Sequence, residues 1–471
     1  MKKLSPKSYI FLITIAATLG GLLFGYDTAV ISGTVSSLNY FFIEPRGLSE
    51  IEANSLLGFT VSAALIGCII GGAIAGFMSD KFGRKKSLFI SAVLFLVSAA
   101  GSAVPELGFA EIGSVGGTVL TQFIIYRIIG GIGVGMASLL APMYIAEIAP
   151  AEIRGKLVSL NQFTIIFGML VVYFVNYIIA LQGNEDWLRH IGWRWMFASE
   201  IIPALIFMIS LKFIPETPRW LFLVNREEQA LKILKRLNPA EKVQQIANEI
   251  KESLIVSKGK LLSYGWLLIF IGIILSVFQQ FVGINVVLYY APEIFKNMNL
   301  GTNVALLQTI IVGAVNLAFT IVAIKKVDNW GRKPLQITGA IVMSISMFAL
   351  GLQFYTDSLG IGALISMLAY TAGFAISWGP VTWVLLSEIF PNKIRGTAMS
   401  IAVAAQWISN YLVSWTFPMM DKSSFLTEYF NHGFAYWLYG GMGLLAALFV
   451  YKIVPETKGK SLEEMELLFK K

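Results

Sequence analysis

Long apolar runs dominate this chain, and about twelve of them have the length of a transmembrane helix. A hydrocarbon core of about 30 Å needs about 20 helical residues to cross it. The spans are predicted to begin near Ile10, Ala53, Leu88, Val119, Leu157, Trp193, Leu262, Val304, Leu335, Ile361, Thr397 and Phe434. This pattern predicts an all-α polytopic membrane protein.

One long polar stretch separates the sixth predicted span from the seventh. Residues 215–260 are rich in Lys, Glu, Gln and Leu, and their apolar positions recur at helical spacing. We therefore expect a small helical cytoplasmic domain between two six-helix bundles. The predicted division is 1–214 for the first bundle, 215–260 for the linker domain, 261–454 for the second bundle and 455–471 for a cytoplasmic tail.

Composition supports this prediction, and the distribution of charge predicts how the protein is oriented in the membrane. The chain is 56% hydrophobic and 14% charged, which is more apolar than a soluble protein of 471 residues could bury. Thirty of the 36 basic residues fall in one alternate set of predicted loops, so the positive-inside rule places both termini in the cytoplasm. The net charge of +8 then reflects loops near anionic lipid of the inner membrane, and nucleic acid is not an expected partner.

Several kinds of chemistry are excluded or disfavoured. Cys68 is the only cysteine, so neither an intrachain disulfide nor a thiolate metal site can form. His190 and His432 fall in predicted short loops, where we expect solvated side chains. No phosphate-binding loop and no zinc-protease motif is present. We expect no enzyme activity, no cofactor and no metal.

The first apolar run contains an acid, Asp27, and a later run contains Arg127. A charge at the middle of a bilayer costs roughly 2.5–3.5 kcal/mol, so such residues suggest a functional site. Proximity of the cation lowers the pKa of a carboxyl group and loss of water raises it, so alternation between the two environments makes a proton switch. A permanent structural ion pair is the alternative.

Short motifs recur in the two halves at a nearly constant offset. Asp80-Lys-Phe-Gly-Arg-Lys matches the segment that begins at Asp328, 248 residues later. Glu147-Ile-Ala-Pro-Ala-Glu-Ile-Arg-Gly matches the segment from Glu388, 241 residues later, and the Pro-Glu-Thr of Pro215 recurs at Pro455, 240 residues later. Such parallel repeats are typical of transporters whose halves rock around a site near the middle of the membrane.

These motifs resemble the sugar porter branch of the major facilitator superfamily over essentially the whole chain. The segments Leu22 to Gly33, Gln279 to Tyr290 and Pro455 to Gly459 are most similar to those of bacterial D-xylose:proton symporters. The resemblance implies the major facilitator fold, a monomer, and cotransport of a monosaccharide with a proton. A facilitator of the same fold without proton coupling is the alternative, and a receptor is less expected because no signalling extension follows Pro455.

A sugar site needs amides, which both donate and accept hydrogen bonds, and an aromatic platform. Such residues in the predicted spans are Gln162, Gln279, Gln280, Asn285, Asn316 and Gln406, with Phe24, Tyr289, Trp383 and Trp407. Any one amide could instead only join helices. The resemblance implies that the pocket comprises Gln162, Gln279, Gln280, Asn285, Trp383 and Gln406, flanked by Tyr289, Asn316, Gly379 and Trp407.

The resemblance also implies roles for the other charged residues. Symporters of the family carry the acid at Asp27 where facilitators tend to have Asn, and Glu200 corresponds to a further carboxylate, with a plain helix-end residue as the alternative. A salt-bridge latch that holds the outward-facing state is implied at Arg84, Glu147, Arg154, Glu216, Arg332, Glu388, Arg395 and Glu456. Solvated loop charges are the alternative for each.

The choice of sugar stays open. Xylose leads, but Met169 stands where the xylose symporters carry a second Gln, two helical turns from Gln162. Glucose, galactose and arabinose therefore remain candidates. The proton stoichiometry and the conformational state are not predicted.

Glycines are expected to act in two ways. Gly283 and the Gly379-Pro380 pair interrupt helices, and unwound backbone at membrane depth lines protein or a water-filled cavity; these breaks are candidate gates. Pairs of glycines four residues apart predict close helix packing, namely Gly67 with Gly71, Gly72 with Gly76 and Gly131 with Gly135.

Overall fold

The computed structural model describes residues 6–113, 115–150, 153–255, 261–391 and 394–459, and most of them are helical. The part of the predicted tail beyond residue 459 lies outside these ranges. Within these ranges twelve helical spans follow one another in the order that the apolar runs predict, and the architecture is all-α.

The spans of the first half are Ser8–Gly33, Glu50–Phe82, Arg84–Ala103, Leu120–Ile148, Arg154–Ala180 and Glu185–Phe213. Those of the second half are Trp266–Asn297, Thr302–Val327, Arg332–Tyr355, Ile361–Ile389, Arg395–Asp421 and Phe434–Ile453. Eleven are long and apolar enough to cross a membrane. The eleventh span, Arg395–Asp421, has the length at 27 residues, but polar side chains such as Gln406 and Asn410 interrupt its apolar sequence.

Each half packs mainly on itself. In the first half the second and third spans pack against the fourth, and the first packs against the fifth. In the second half the ninth span packs against the tenth and twelfth, and the seventh packs against the eleventh. The halves meet where the second span lies on the eleventh and the fifth lies on the eighth.

Three short helices connect the halves in sequence. They are Pro218–Leu223, Glu227–Leu237 and Val243–Ile255, and they enclose a small core of their own around Trp220, Leu234 and Ala247. The predicted helical character of this segment is therefore confirmed up to Ile255. The domain boundaries themselves stay a prediction.

Glycines bring the second and fourth spans into direct backbone contact. A Cβ atom at Gly67 would overlap the carbonyl oxygen of Ile128, and one at Gly131 would overlap that of Ala64. A Cβ atom at Gly71 or Gly135 would likewise overlap the backbone of the facing helix. The packing prediction is wrong for Gly72 and Gly76, because a Cβ at either would meet no atom within 4 Å; only one face of this helix touches its neighbour.

This difference predicts that a Gly→Ala substitution changes the stability of the protein at one position and not at the other. Gly131→Ala should destabilise the protein by about 1–3 kcal/mol, since overpacked backbone has to separate. Gly72→Ala is the matched control, and it should leave stability unchanged or slightly raised because the helix gains propensity. Melting temperatures in detergent would measure both. Equal melting temperatures for the two variants would contradict the packing account.

The two histidines match the predicted solvated loops only in part. His190 lies in the helical turn Leu188–Gly192, where its Nδ1 is 2.9 Å from the carbonyl oxygen of Asp186. His432 does lie in a loop, but its Nδ1 is 3.3 Å from Oδ1 of the buried Asp421. Both oxygens of Asp421 also accept from Asn297 Nδ2 at 3.1 Å.

The His432 contact makes stability depend on pH. The hydrogen bond to Asp421 raises the pKa of His432 above its ordinary value of 6.5. The contact therefore stabilises the fold fully below about pH 6.5 and loses its effect as pH rises through the raised pKa. The loss of melting temperature caused by His432→Gln should be large near pH 6 and shrink towards about pH 9. A loss that does not vary with pH would contradict this.

Candidate functional site

A fully buried ion pair joins the first and fourth spans. Arg127 Nη1 donates to Asp27 Oδ1 at 2.8 Å, and Nη2 donates to the Asp27 carbonyl oxygen at 3.1 Å. The guanidinium also lies over the ring of Phe197, 5.3 Å from its centroid. The predicted proximity of Asp27 and Arg127 is thus present in the structure. Removal of Arg127 would leave Asp27 without a cation in a medium that penalises an unpaired charge by several kcal/mol.

A second acid lies against this pair. Glu200 sits between the helices Trp193–Ala198 and Ile201–Phe213, inside the sixth span, and its side chain is fully buried. Neither carboxyl oxygen bonds to a described residue as a carboxylate acceptor. The carboxyl group lies within hydrogen-bonding reach of Asp27 once one of the two acids carries a proton. Two buried acids therefore face one guanidinium, and one added proton makes the cluster neutral.

The seventh span breaks where its amides are found. Its helix Trp266–Phe281 ends before Gly283, which has a φ of 91°, and the chain resumes as Ile284–Asn297. A side chain there would be strained, since only glycine adopts this conformation freely. Asn285 Nδ2 donates to Gln280 Oε1 across the break. The predicted interruption at Gly283 is confirmed.

The tenth span also breaks, but at Ser377, where φ is -129°, and the predicted interruption at Gly379-Pro380 is wrong because both residues lie inside the helix that follows. Gln279 connects the two breaks. The helices Ile361–Ile376 and Trp378–Ile389 meet at Ser377, two residues before Gly379. Gln279 Nε2 donates to the carbonyl oxygens of Trp378 at 2.8 Å and Gly379 at 3.3 Å. Its Oε1 is buried without a partner among the described residues. The free acceptor is what a hydroxyl-bearing ligand would use.

Aromatic and amide groups from both halves meet near the eleventh span. The ring of Phe24 lies 5.7 Å from that of Trp407, across the boundary between the halves. Asn410 Nδ2 donates to the hydroxyl of Tyr289 at 3.5 Å. Gln406 is half-buried, and its Oε1 has no partner among the described residues.

The remaining predicted pocket residues lie in the spans expected for them. Gln162 and Trp383 are half-buried in the fifth and tenth spans, and Asn316 is buried in the eighth. Met169 is buried on the fifth span, two turns after Gln162. Joint contact of these side chains with a ligand stays a prediction.

The two halves are bonded to each other at one end of the membrane region. Lys296 Nζ donates to Ser36 Oγ at 2.6 Å, and Tyr173 donates to the Leu288 carbonyl oxygen at 2.8 Å. Further bonds of this kind are Asn54 to Lys422, Trp415 to Ser55, Thr302 to Glu185 and Ser424 to Glu50. Within the described ranges, every side-chain hydrogen bond between the halves lies in this part of the molecule. The site is closed on this side.

The opposite end, where Arg84, Arg154, Arg332 and Arg395 begin their helices, is called the basic end below. Here the charged residues pair inside each half. Arg84 Nη2 lies 2.9 Å from Glu147 Oε1, and Arg332 Nη2 lies 2.7 Å from Glu388 Oε1. Arg84 N donates to Glu216 and Arg332 N to Glu456, each at 3.1 Å. The repeated motifs therefore build the same network twice.

Among the residues that the structure describes, the predicted latch makes no contact from one half to the other in this conformation. Arg154 is exposed, and Arg395 Nε donates to the Phe390 carbonyl oxygen at 3.0 Å. No hydrogen bond or ion pair between described residues crosses from one half to the other at the basic end. A latch for the other conformation stays a prediction.

Sequence reasoning missed the groups that close the far side. Glu293 and Lys296 pair at 3.2 Å near the end of the seventh span and reach Ser36 of the first half. Their signal was available, since two charges three residues apart end an apolar run. Their partner could not be found from the sequence, because Ser36 is about 260 residues away.

Comparison with known proteins gives consistent matches along the whole chain. The family described as "Sugar (and other) transporter" matches residues 13–469. The D-xylose-proton symporter of Escherichia coli strain K12 is 63% identical over 472 residues, which cover 98% of this chain and 96% of that protein. The glucose facilitated diffusion protein of Zymomonas mobilis is 42% identical over 474 residues, covering 100% of this chain and 99% of that one.

A solved structure is also similar over almost the whole chain. The inward-open conformation of the xylose transporter from E. coli superposes with a TM-score of 0.89 at 61% identity, covering 98% of this chain and 100% of that one. The close superposition shows that this chain has the same all-α major facilitator fold.

Proposed function

This chain belongs to the sugar transporter family, and on that premise we propose that it carries D-xylose across a membrane together with a proton, by alternating access. The buried cluster of Asp27, Arg127 and Glu200 is the observation that carries the proposal. Burial of two acids beside one arginine gives a group that binds a proton without any water contact. A passive sugar channel has no use for such a cluster.

Coupling follows from the competition for the single guanidinium. When Asp27 is ionised, it holds Arg127 by the 2.8 Å bond and joins the first span to the fourth. A proton on Asp27 removes one side of this pair and lets the spans reorient. Net uptake of sugar then requires that Asp27 take up its proton from the outer side of the membrane and release it on the cytoplasmic side.

Glu200 would lower the electrostatic cost of protonating Asp27. An arginine left without a partner in the membrane is unfavourable by several kcal/mol. The carboxylate of Glu200 lies next to Asp27 and can take over part of the attraction to Arg127 when Asp27 is neutral. We assign Glu200 to the proton pathway as a positioning residue for the pair.

The sugar would bind between the halves at the broken helices. Gln279 and Gln280 of the seventh span, with Asn285, offer donors and acceptors for ring hydroxyls, and Gln162 and Gln406 complete the polar lining. Phe24, Tyr289, Trp383 and Trp407 supply apolar faces for the C–H surface of the ring. Asn316 and Gly379 flank the pocket. The breaks at Gly283 and Ser377 are the proposed moving parts.

Xylose is the favoured sugar because the symporter at 63% identity is named for it. Glucose, galactose and arabinose are the alternatives, and the relative at 42% identity is named for glucose. Counterflow of labelled D-xylose into proteoliposomes, with each unlabelled sugar as competitor, tests the choice. Competition by glucose stronger than by xylose itself would overturn it.

Met169 predicts where selectivity can be altered. In Met169→Gln an amide replaces the buried thioether beside Gln162, and one added hydrogen bond contributes about 0.5–1.5 kcal/mol. We expect xylose affinity to rise about two- to tenfold relative to that of the wild type. Binding titrations of both proteins with xylose measure this, with Met169→Leu as the size-matched apolar control. An identical affinity in Met169→Gln and Met169→Leu would contradict a position beside the sugar.

The basic end is proposed to face the cytoplasm of a bacterial cell, with both termini on that side of the inner membrane and the protein acting as a monomer. The positive-inside rule supports this orientation. The present conformation is then open inward. Arg84, Glu147, Arg154 and Glu216, with Arg332, Glu388, Arg395 and Glu456, would draw the two halves together in the outward-facing state. The linker domain, residues 215–260, would join the moving bundles.

A further inference from the structure

A groove of about 440 Å³ lies at the basic end, between the start of the third span and the end of the sixth. Its apolar wall includes Phe89, Ile90 and Leu211, and three lysines line it: Lys85, Lys86 and Lys212. Its lining includes none of the residues of the proposed sugar and proton sites. Nothing in the transport mechanism uses it.

The lysines leave the groove positively charged. Lys86 and Lys212 are exposed, and Lys85 Nζ donates to the Lys212 carbonyl oxygen at 3.2 Å. Glu216 lies beside Lys85, but its carboxylate already accepts from the backbone N–H groups of Arg84 and Lys85. A ligand with a phosphate would therefore meet ammonium groups that have hydrogens to donate.

The groove also lies where a lipid would reach it. The third span begins at Arg84 and the sixth ends at Phe213, so the lysines stand at the boundary between hydrocarbon and water. The same spans expose Val93, Ile206 and Ile209 within the next few turns. This arrangement combines a cationic rim with an apolar surface that continues into the membrane, which is the form of a phospholipid site between spans.

We propose that this groove binds an anionic phospholipid from the leaflet at the basic end. The phosphate contacts Lys86 and Lys212, and an acyl chain lies along Phe89 and Ile90. Charge complementarity favours phosphatidylglycerol over a zwitterionic lipid, because each lysine near the surface adds attraction for a net negative headgroup. Bound lipid would link the third and sixth spans beside the Arg84, Glu147 and Glu216 network.

Native mass spectrometry of the full-length protein with phosphatidylglycerol or phosphatidylcholine tests the site. The double variant Lys86→Gln/Lys212→Gln should hold the first phosphatidylglycerol about 30-fold less tightly, since two lysine contacts are lost. Lys86→Arg/Lys212→Arg should bind like the wild type. The matched control is Lys325→Gln/Lys326→Gln, which removes two exposed lysines near the basic end of the eighth span and should retain the lipid.

Four outcomes would overturn the proposal. They are wild-type affinity in the Lys86→Gln/Lys212→Gln variant, an equal loss in the control, equal affinity for phosphatidylcholine in the wild type, and displacement of the lipid by inorganic phosphate alone. The binding assay needs no sugar and no proton gradient. Its failure would therefore leave the transport proposal untouched, and the converse also holds.

Discussion

Replacement of Asp27 by Asn is expected to abolish uphill sugar uptake while exchange of sugar across the membrane continues. The amide keeps the shape of the side chain and a hydrogen-bonding oxygen, but it cannot take up and release a proton. A proton moving through 100 mV provides about 2.3 kcal/mol, which supports more than tenfold accumulation. In the variant the ratio of internal to external sugar should fall to about one.

The measurement compares accumulation in energised membrane vesicles with counterflow in the same preparation. Asp421→Asn is the matched control, since Asp421 is also a buried acid but pairs with His432 on the closed side, away from Arg127. It should still accumulate sugar once expression is normalised. Accumulation by Asp27→Asn at the wild-type ratio would show that this carboxyl group does not couple the fluxes.

Replacement of Gln280 by Ala is expected to weaken sugar binding by about 30- to 100-fold. The substitution removes the sugar contacts of one amide and leaves Asn285, which now bonds to Gln280 Oε1, without its partner. An amide that donates and accepts can make two hydrogen bonds to a sugar, and each contributes about 0.5–1.5 kcal/mol. Isothermal titration with xylose gives the affinity directly.

A buried amide outside the pocket serves as the control that distinguishes an effect on sugar binding from an effect on stability. Gln336 Nε2 donates to Thr382 Oγ1 at 2.9 Å between the ninth and tenth spans, and its side chain is fully buried. Gln336→Ala should lower the melting temperature with little change in sugar affinity. If Gln280→Ala binds xylose as tightly as the wild type does, Gln280 is only a helix-joining amide.

The fold could be predicted closely because its determinants are local. The twelve apolar runs, the long polar linker and the paired motifs each lie in a short window of sequence. Eleven of the twelve observed spans begin within four residues of the predicted start, and the sixth begins at Glu185, eight residues before the predicted Trp193. The break at Gly283 was predictable for the same reason. The break in the tenth span falls at Ser377, which a search for glycine and proline does not find.

The residues of the site could be predicted only from their chemical type and from the resemblance to a known family. Charged residues are rare in apolar runs, so Asp27 and Arg127 could be predicted to pair. The pairing of Gln279 with the carbonyl oxygens of Trp378 and Gly379 depends on how two broken helices meet, about 100 residues apart. Periodicity could not say which face of the second span meets the fourth, so Gly72 and Gly76 were assigned wrongly.

The central claim is that sugar and proton cross together through this one protein. Purified protein in liposomes loaded with a pH-sensitive dye, with no imposed gradient, tests it when xylose is added outside. We predict that the lumen acidifies as xylose enters, that L-glucose causes no change, and that Asp27→Asn abolishes the signal while xylose still exchanges. Xylose entry at the full rate with no movement of protons would contradict the account.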